Sequence, residues 1–308
     1  MGRGRKKRGD PIVGVLILDK PQGLTSNRAL QRCRALINAR KGGHTGALDP
    51  LATGLLPLCF GQATKISSFL LDEGKTYAVC ALAGVTTDTG DADGSVLETR
   101  EVSLSEAGLR SVLQEFIGEY DQVPPMYSAL KVNGQPLYKL ARQGIEIERK
   151  ARRVTAYDIR FRSMDAPGFC FEIDCSSGFY VRSLVEDIGR ELGCGAHVTS
   201  LRRVRVGKLD VRDAVSLEAF EACNSREERI EHLISADIML GRFPAARLDG
   251  VQCQQVKHGQ SVVLPPDAVS SPGWVRIYDS RDRFLGLGTL DSEGNLAPRR
   301  LFIQQENA

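Results

Sequence analysis

No stretch of this chain stays apolar for the roughly 18 residues that a membrane-crossing helix requires. The apolar run at residues 12–18 is short and β-branched. It stops at Asp19-Lys20 with no small-residue cleavage site, so it reads as a buried strand and not as the core of a signal peptide. Of the eight cysteines, none forms a Cys-x-x-Cys pair, and the four histidines have no partner at ligand spacing, which argues against a zinc site. Cysteines scattered in this way (33, 59, 80, 170, 175, 194, 223 and 253) predict reduced, buried thiols of a cytoplasmic protein. There is no P-loop, no cluster of metal-binding carboxylates, no Ser-His pairing and no internal repeat. An excess of positive charge is also missing from the body. Residues 1–8 hold five of the 41 Lys and Arg residues, leaving 36 basic against 38 acidic. Any nucleic-acid binding must therefore use local patches.

What is present suits a soluble globular chain. Apolar residues make up 42% and charged residues 26% of 308, enough for a sizeable core. Residues 1–10 are polar and basic and predict a disordered arm. A strand at 12–18 leads through the turn Pro21-Gln-Gly-Leu to a helix with Ser26 as its expected N-cap. Residues 41–56 are rich in Gly, Thr and Pro and read as one long loop, with a short strand only at 58–60. A helix is expected over 63–71, a buried strand over 77–83, a turn-rich loop over 88–94 and a helix over 105–117 ending at Gly118. A short helix from Pro136 stops at Gly144. Strands near 153–162, 169–175 and 198–206 flank a helix over 180–192, and helices near 216–222 and 226–234 close this part. This order is mixed α+β with a mainly antiparallel sheet. Beyond residue 245, short β runs alternate with turn signals and predict a small all-β module over 245–308, separate from a main domain over 11–240.

Chemistry concentrates in Gly42-Gly-His-Thr-Gly-Ala-Leu-Asp-Pro-Leu-Ala-Thr-Gly54. Its four glycines permit close approach of a ligand to the backbone. Its one acid, Asp49, lies among apolar residues and next to Pro50, where partial desolvation would make it reactive as a nucleophile or base. Asp before Pro also caps turns with no further role. The residues alone leave both readings open.

This segment resembles the catalytic motif of the TruB family of tRNA pseudouridine synthases. The likeness extends along the chain. It includes Gly14 to Asn27, Gly61-Gln-Ala-Thr-Lys65, Lys75-Thr-Tyr77, Thr87-Asp-Thr-Gly-Asp-Ala-Asp-Gly94, Pro124-Pro-Met-Tyr-Ser-Ala-Leu-Lys131 and Leu137 to Gly144. It continues through Gly193 to His197, Thr199-Ser-Leu-Arg-Arg203 and Ala297-Pro-Arg-Arg300. The resemblance implies a pseudouridine synthase core with a PUA-like C-terminal domain. It implies an enzyme that isomerises the uridine at position 55 of the tRNA T loop by base flipping, with Asp49 as the essential aspartate. Tyr77 would stack on the base, and Tyr180 and Arg182 would lie beside Asp49. Leu201 would line the pocket, His44 would contact RNA near the flipped base, and Lys20 would pack near the site. Residues 124–152 would form an insertion that clamps the RNA loop. No cofactor, metal, membrane or protein partner is implied, and a monomer is expected. One motif departs: Ser176-Ser-Gly-Phe-Tyr-Val-Arg182 carries Ser177 where the family commonly has Lys, and Phe179 where it has Thr.

The chemistry is consistent with these roles. Moving uracil from an N1 to a C5 linkage needs no redox step, and Asp49 could add to C6, attack C1′ or remove a sugar proton. An adjacent arginine is expected to lower the Asp49 pKa by about 1–3 units and keep it ionised. Unstacking the base costs a few kcal/mol, and an aromatic platform such as Tyr77 returns about 1–3 kcal/mol. Arg142, Arg152, Arg153, Arg202 and Arg203 are the expected contacts to the RNA backbone. The competing readings are a non-catalytic RNA-binding protein, which has no use for the Asp49, Tyr77 and Arg182 set, and a hydrolase built on the Asp-Pro loop. The acidic loop 88–93 lacks the later acid that a calcium loop requires.

Overall fold

The computed structural model describes residues 9–132, 134–265, 269 and 271–302. Of the basic arm expected over 1–10, residues 1–8 lie outside them, and Gly9 and Asp10 are docked rather than disordered. The Asp10 N–H donates to Asn38 O at 2.7 Å, and its carboxylate pairs with Arg226.

The main domain is built on an 11-stranded, mainly antiparallel sheet. Its principal strands are β1 (Gly14–Lys20), β2 (Gly42–His44), β3 (Thr53–Phe60), β4 (Lys75–Ala83), β5 (Gly118–Gln122), β6 (Arg152–Asp165), β7 (Gly168–Cys175) and β8 (Ala196–Val206). The order across the sheet is β1-β3-β8-β4-β7-β6-β5, with β2 on β3 and only the short β3–β8 contact parallel among these. The continuous apolar run of β1 follows from burial on both faces. Leu16 and Leu18 pack into one cluster with α1 (Ser26–Leu36), and Val15 and Ile17 into a second with Leu55, Cys59 and Leu240. Each such fully buried side chain contributes about 2 kcal/mol. On β4 the alternation is simpler: Tyr77, Val79 and Ala81 point into the core, and Ala78, Cys80 and Leu82 are half-buried on the other face. The helices α2 (Glu106–Glu115) and α3 (Val181–Glu191) join α1 in the first cluster.

Three expectations change here. The loop expected over 41–56 is interrupted at both ends, because β2 and β3 pair in register with Gly43 opposite Cys59. Pro57 is accommodated within β3, opposite Ile17 of β1. Gly54 makes β3 possible beside β8: its φ is +98°, and a Cβ there would fall 2.3 Å from the Arg203 carbonyl oxygen. The cap of α1 is Thr25, whose side chain accepts from Arg28 N–H. Finally, Cys80 and Cys170, opposite each other on β4 and β7 with Cα atoms 4.1 Å apart, are joined as a disulfide. The expectation of eight reduced thiols fails because strand pairing brings together residues 90 apart in sequence. Six buried cysteines are free.

The C-terminal module is a five-stranded sheet of β9 (Ala245–Arg247), β10 (Val262–Val263), β11 (Gly273–Tyr278), β12 (Phe284–Leu290) and β13 (Asn295–Leu301). It is not built from strands alone. Between β9 and β10 lies α4 (Gly250–Lys257), started by a capping box of Asp249 and Gln252 and packed through Cys253 and Val256. The module is fixed to the main domain by edge-to-face contacts of Phe69 with Trp274 and Phe243, at 4.9 and 5.5 Å between ring centroids. Tyr278 Oη also donates to Asp237 Oδ2 at 2.7 Å. Among the described residues, no helix is long and apolar enough to cross a membrane.

Candidate active site

Asp49 sits in the loop between β2 and β3, and neighbouring elements restrain that loop. The Ser26 hydroxyl, at the first turn of α1, accepts from Leu48 N–H at 2.7 Å and donates to Leu48 O at 3.0 Å. The Gly23 N–H donates to Pro50 O at 2.8 Å, and Ala52 N–H to Asp49 O at 3.1 Å. The backbone on both sides of Asp49 is thus tied to the turn before α1 and to α1 itself.

Arg182 meets it from the first turn of α3. Its guanidinium is 5% exposed and lies 2.8 Å from Asp49 Oδ2 through Nη2. The same group donates to Tyr127 O at 2.7 Å and, through Nη1, to Thr89 O at 2.6 Å. Its Nε lies 3.7 Å from Asp91 Oδ2. Asp91 is itself buried and held by the Thr89 hydroxyl at 2.6 Å and the Asp93 N–H at 3.2 Å. Arg182 therefore gathers the Asp49 loop, the 88–94 loop and the segment around Tyr127 onto one guanidinium.

The expected fall in the Asp49 pKa does not occur. The side chain is 42% open to solvent, and the protein packed around its inner side removes part of its water. This desolvation, the largest cause, together with the nearby Asp91 pushes the carboxyl above its ordinary value against the downward pull of Arg182 and Lys20. A poorly solvated carboxylate held by an arginine is a better base and nucleophile than one in water.

The remaining site residues surround this pair. The Tyr77 ring is buried in β4, and burial raises its pKa, opposed by the nearby Arg203. Tyr180, half-buried at the start of α3, is placed by its backbone: its N–H donates to Gln122 Oε1 at 2.8 Å and its carbonyl accepts from Gln122 Nε2 at 3.0 Å. Burial raises its pKa too, and Asp49 and Arg182 both act on it. Lys20 is fully buried, with Nζ donating to Pro21 O at 2.9 Å and Leu24 O at 2.7 Å. Burial lowers its pKa to about 8 against the opposing pull of Asp49. His44 is half-buried, its pKa is lowered by burial and by Arg203, and its Nδ1 has no hydrogen-bond partner among the described residues. Leu201 is buried on β8 opposite Val79 of β4. The electrostatic neighbours link Asp49, Tyr77, Tyr180, Arg182 and Lys20 directly. For His44 the link runs through Arg203, and for Leu201 through the sheet alone.

The five arginines expected on the RNA backbone divide. Arg142 is exposed over the Tyr138 ring at 5.6 Å, and Arg152 is exposed near Tyr180. Arg153 is exposed but shared between Glu119 and Asp121 at 3.4 and 3.3 Å. Arg202 is engaged bidentately by Asp19 at 2.9 and 2.6 Å. Arg203 is not a surface residue: it is 1% exposed, and the inward-facing position on β8 that buries it removes it from any phosphate in solvent. The supporting residues Asp91 and Gln122 have no individual role in the sequence, and Ser26, expected only as a helix cap, instead holds the Asp49 loop through Leu48. The Asp-Thr-Gly-Asp turn was visible as a turn, but not as the seat of Arg182. Among the described residues, no group of His, Cys, Asp or Glu could hold a metal ion.

Comparison with known proteins agrees along the chain. Residues 34–181 match the profile of the TruB family pseudouridylate synthase N-terminal domain. Residues 182–239 match the tRNA pseudouridylate synthase B C-terminal domain, and 244–302 match the C-terminal domain of pseudouridine synthase II TruB. A tRNA pseudouridine synthase B from Burkholderia mallei is 51% identical over 297 residues, covering 95% of this chain and 97% of its own. One from Chromohalobacter salexigens is 50% identical over 301 residues, covering 96% of each chain. Among solved structures, a chain of an H/ACA RNP bound to a substrate RNA containing 2′-deoxyuridine shares the fold. Its TM-score is 0.73 at 21% identity, over 99% of this chain and 92% of its own.

Proposed function

The chain belongs to the TruB family of pseudouridine synthases, and from that premise we propose that it isomerises the uridine at position 55 of the tRNA T loop, with Asp49 as the reacting carboxylate. One observation carries the reading: the Asp49 carboxylate, partly desolvated, is held at 2.8 Å by a buried arginine beside two tyrosines. The curated relatives that match nearly the whole chain are named tRNA pseudouridine synthases. In the reaction the N1–C1′ bond breaks, a C5–C1′ bond forms, the C5 proton leaves and N1 takes up a proton, so no oxidant or group donor is consumed. The target base leaves the loop stack and lies against Tyr77, with about 1–3 kcal/mol of stacking offsetting the flip. Asp49 then serves as nucleophile or base, and Arg182 balances its charge. His44, Tyr180 and Leu201 surround the base, and Lys20 supports the floor. The exposed Arg142 and Arg152, the 124–152 segment and the C-terminal module hold the T stem-loop. No second chain is required, and the tRNA pool of the cytoplasm is the substrate source.

The test is tritium release from tRNA labelled at uracil C5, run beside a filter-binding assay. Wild type releases label, while Asp49→Asn releases none yet binds the same tRNA. Release by the Asn variant would overturn the assignment. A protein that only binds RNA would release none in either form, and it would leave the Asp49–Arg182 pair without a purpose.

A further inference from the structure

The burial of Arg203 raises a question of its own. A guanidinium 1% exposed is costly to keep unless it is paired. No aspartate or glutamate among the described residues forms an ion pair with it; the nearby carboxylates are engaged elsewhere, Asp49 with Arg182 and Asp19 with Arg202. Its hydrogen bonds go to main-chain carbonyls instead. Nε donates to Leu55 O on β3 at 2.7 Å, and Nη2 to Gly46 O at 3.0 Å. Gly46 lies in the reactive loop, three residues before Asp49. Its Cα carries no substituent where the guanidinium passes: a Cβ there would stand 3.3 Å from Nη1. In the sheet, Arg203 is the direct cross-strand partner of Tyr77, a placement that puts the two side chains in contact on one face. The phenol responds to the guanidinium, which opposes the upward push of burial on its pKa. Arg203 thus joins the strand bearing Tyr77, the strand following the loop and the loop bearing Asp49.

We propose that Arg203 is a positioning residue for the isomerisation: through Gly46 O it sets the Asp49 loop, and against Tyr77 it fixes the phenol, so that a base stacked on the ring meets the carboxylate. This rests on the reading of Asp49 and Tyr77 given above. A salt link to a neighbouring acid would leave Arg203 a fold-stabilising residue; two carbonyls and a tyrosine make it a ruler between two reacting parts. Lysine at this position keeps the charge but cannot reach Leu55 O, Gly46 O and the phenol together.

The experiment is a double-mutant cycle of Arg203→Lys and Tyr77→Phe. Tritium release is followed under single turnover with saturating enzyme, and tRNA affinity is measured separately. Arg203→Lys is expected to slow the bound reaction by about 100-fold while affinity stays within about threefold. In the Tyr77→Phe background the same change is expected to cost about tenfold, because the phenol that Arg203 holds is already gone while its hold on Gly46 O remains. Effects that simply multiply, or an affinity loss with an unchanged bound rate, would overturn the proposal. If Arg203→Lys does not fold, nitrogen-15 NMR of arginine side chains in wild type and Tyr77→Phe replaces the cycle. The slowly exchanging Arg203 Nε–H is expected to shift in Tyr77→Phe and not in Tyr180→Phe; identical spectra would overturn it. A wild type that converts no uridine would instead overturn the functional reading on which this inference stands.

Discussion

At the scale of single residues, the site consists of charges kept where water is scarce. Asp49 shows the consequence most directly. Its carboxyl binds its proton more tightly in the folded protein than in the unfolded chain, because desolvation and the neighbouring Asp91 together outweigh the pull of Arg182 and Lys20. Stability from this group is therefore present at low pH and lost as pH rises through its raised folded-state value, so the ionised form burdens the fold at neutral pH. Asp49→Asn removes the burden, and Arg182 keeps Asp91, Thr89 O and Tyr127 O as partners. The variant is expected to melt within about 2 °C of wild type or above it in calorimetry at pH 7, while inactive. A melting point far below wild type would show that the carboxylate stabilises the fold. The same shift has a kinetic sign. The single-turnover rate should fall as pH is lowered through a value above that of a free aspartate, because the reacting form is ionised. A rate flat down to the ordinary carboxylate range would contradict it.

At the scale of elements, the loop bearing Asp49 is restrained by the start of α1. Ser26→Ala removes the hydroxyl that satisfies both the N–H and the C=O of Leu48 in a buried position. Unfolding by urea is expected to show a loss of about 1–3 kcal/mol, with faster hydrogen exchange at Leu48 and a slower bound reaction. Unchanged exchange at Leu48 would show that other bonds hold the loop. The same serine marks what the sequence made legible. Apolar periodicity located α1, and Ser26 was expected to cap it. Thr25 caps it instead, because Ser26 is turned toward a loop 22 residues later. The strand β4, the helix α3 and the position of Asp49 were readable, since period and turn chemistry are local. The extent of β3 through Pro57, the helix α4 and the Cys80–Cys170 bond were not, since each depends on which strands or faces meet. Arg203 is not legible as a buried residue for the same reason: in sequence it stands among basic residues, and only its place on β8 turns it inward.

At the scale of the whole molecule, a body with no basic excess would bind an anionic partner through cations that no carboxylate occupies. Arg142 and Arg152 are exposed and form no ion pair with a carboxylate among the described residues, whereas Asp19 occupies Arg202. In a salt series of tRNA binding, Arg142→Ala and Arg152→Ala should each lower the slope of log affinity against log salt by about 1, and Arg202→Ala by clearly less. Equal effects from all three would place Arg202 on the RNA. The C-terminal module is joined to the main domain by the packing of Phe69 against Trp274 and Phe243 and by the hydrogen bond from Tyr278 to Asp237. The most direct measurement is to map pseudouridine on an unmodified tRNA transcript incubated with wild type and with Asp49→Asn. Modification is expected at T-loop position 55 with wild type and none with the variant. Modification elsewhere, or an active variant, would contradict it.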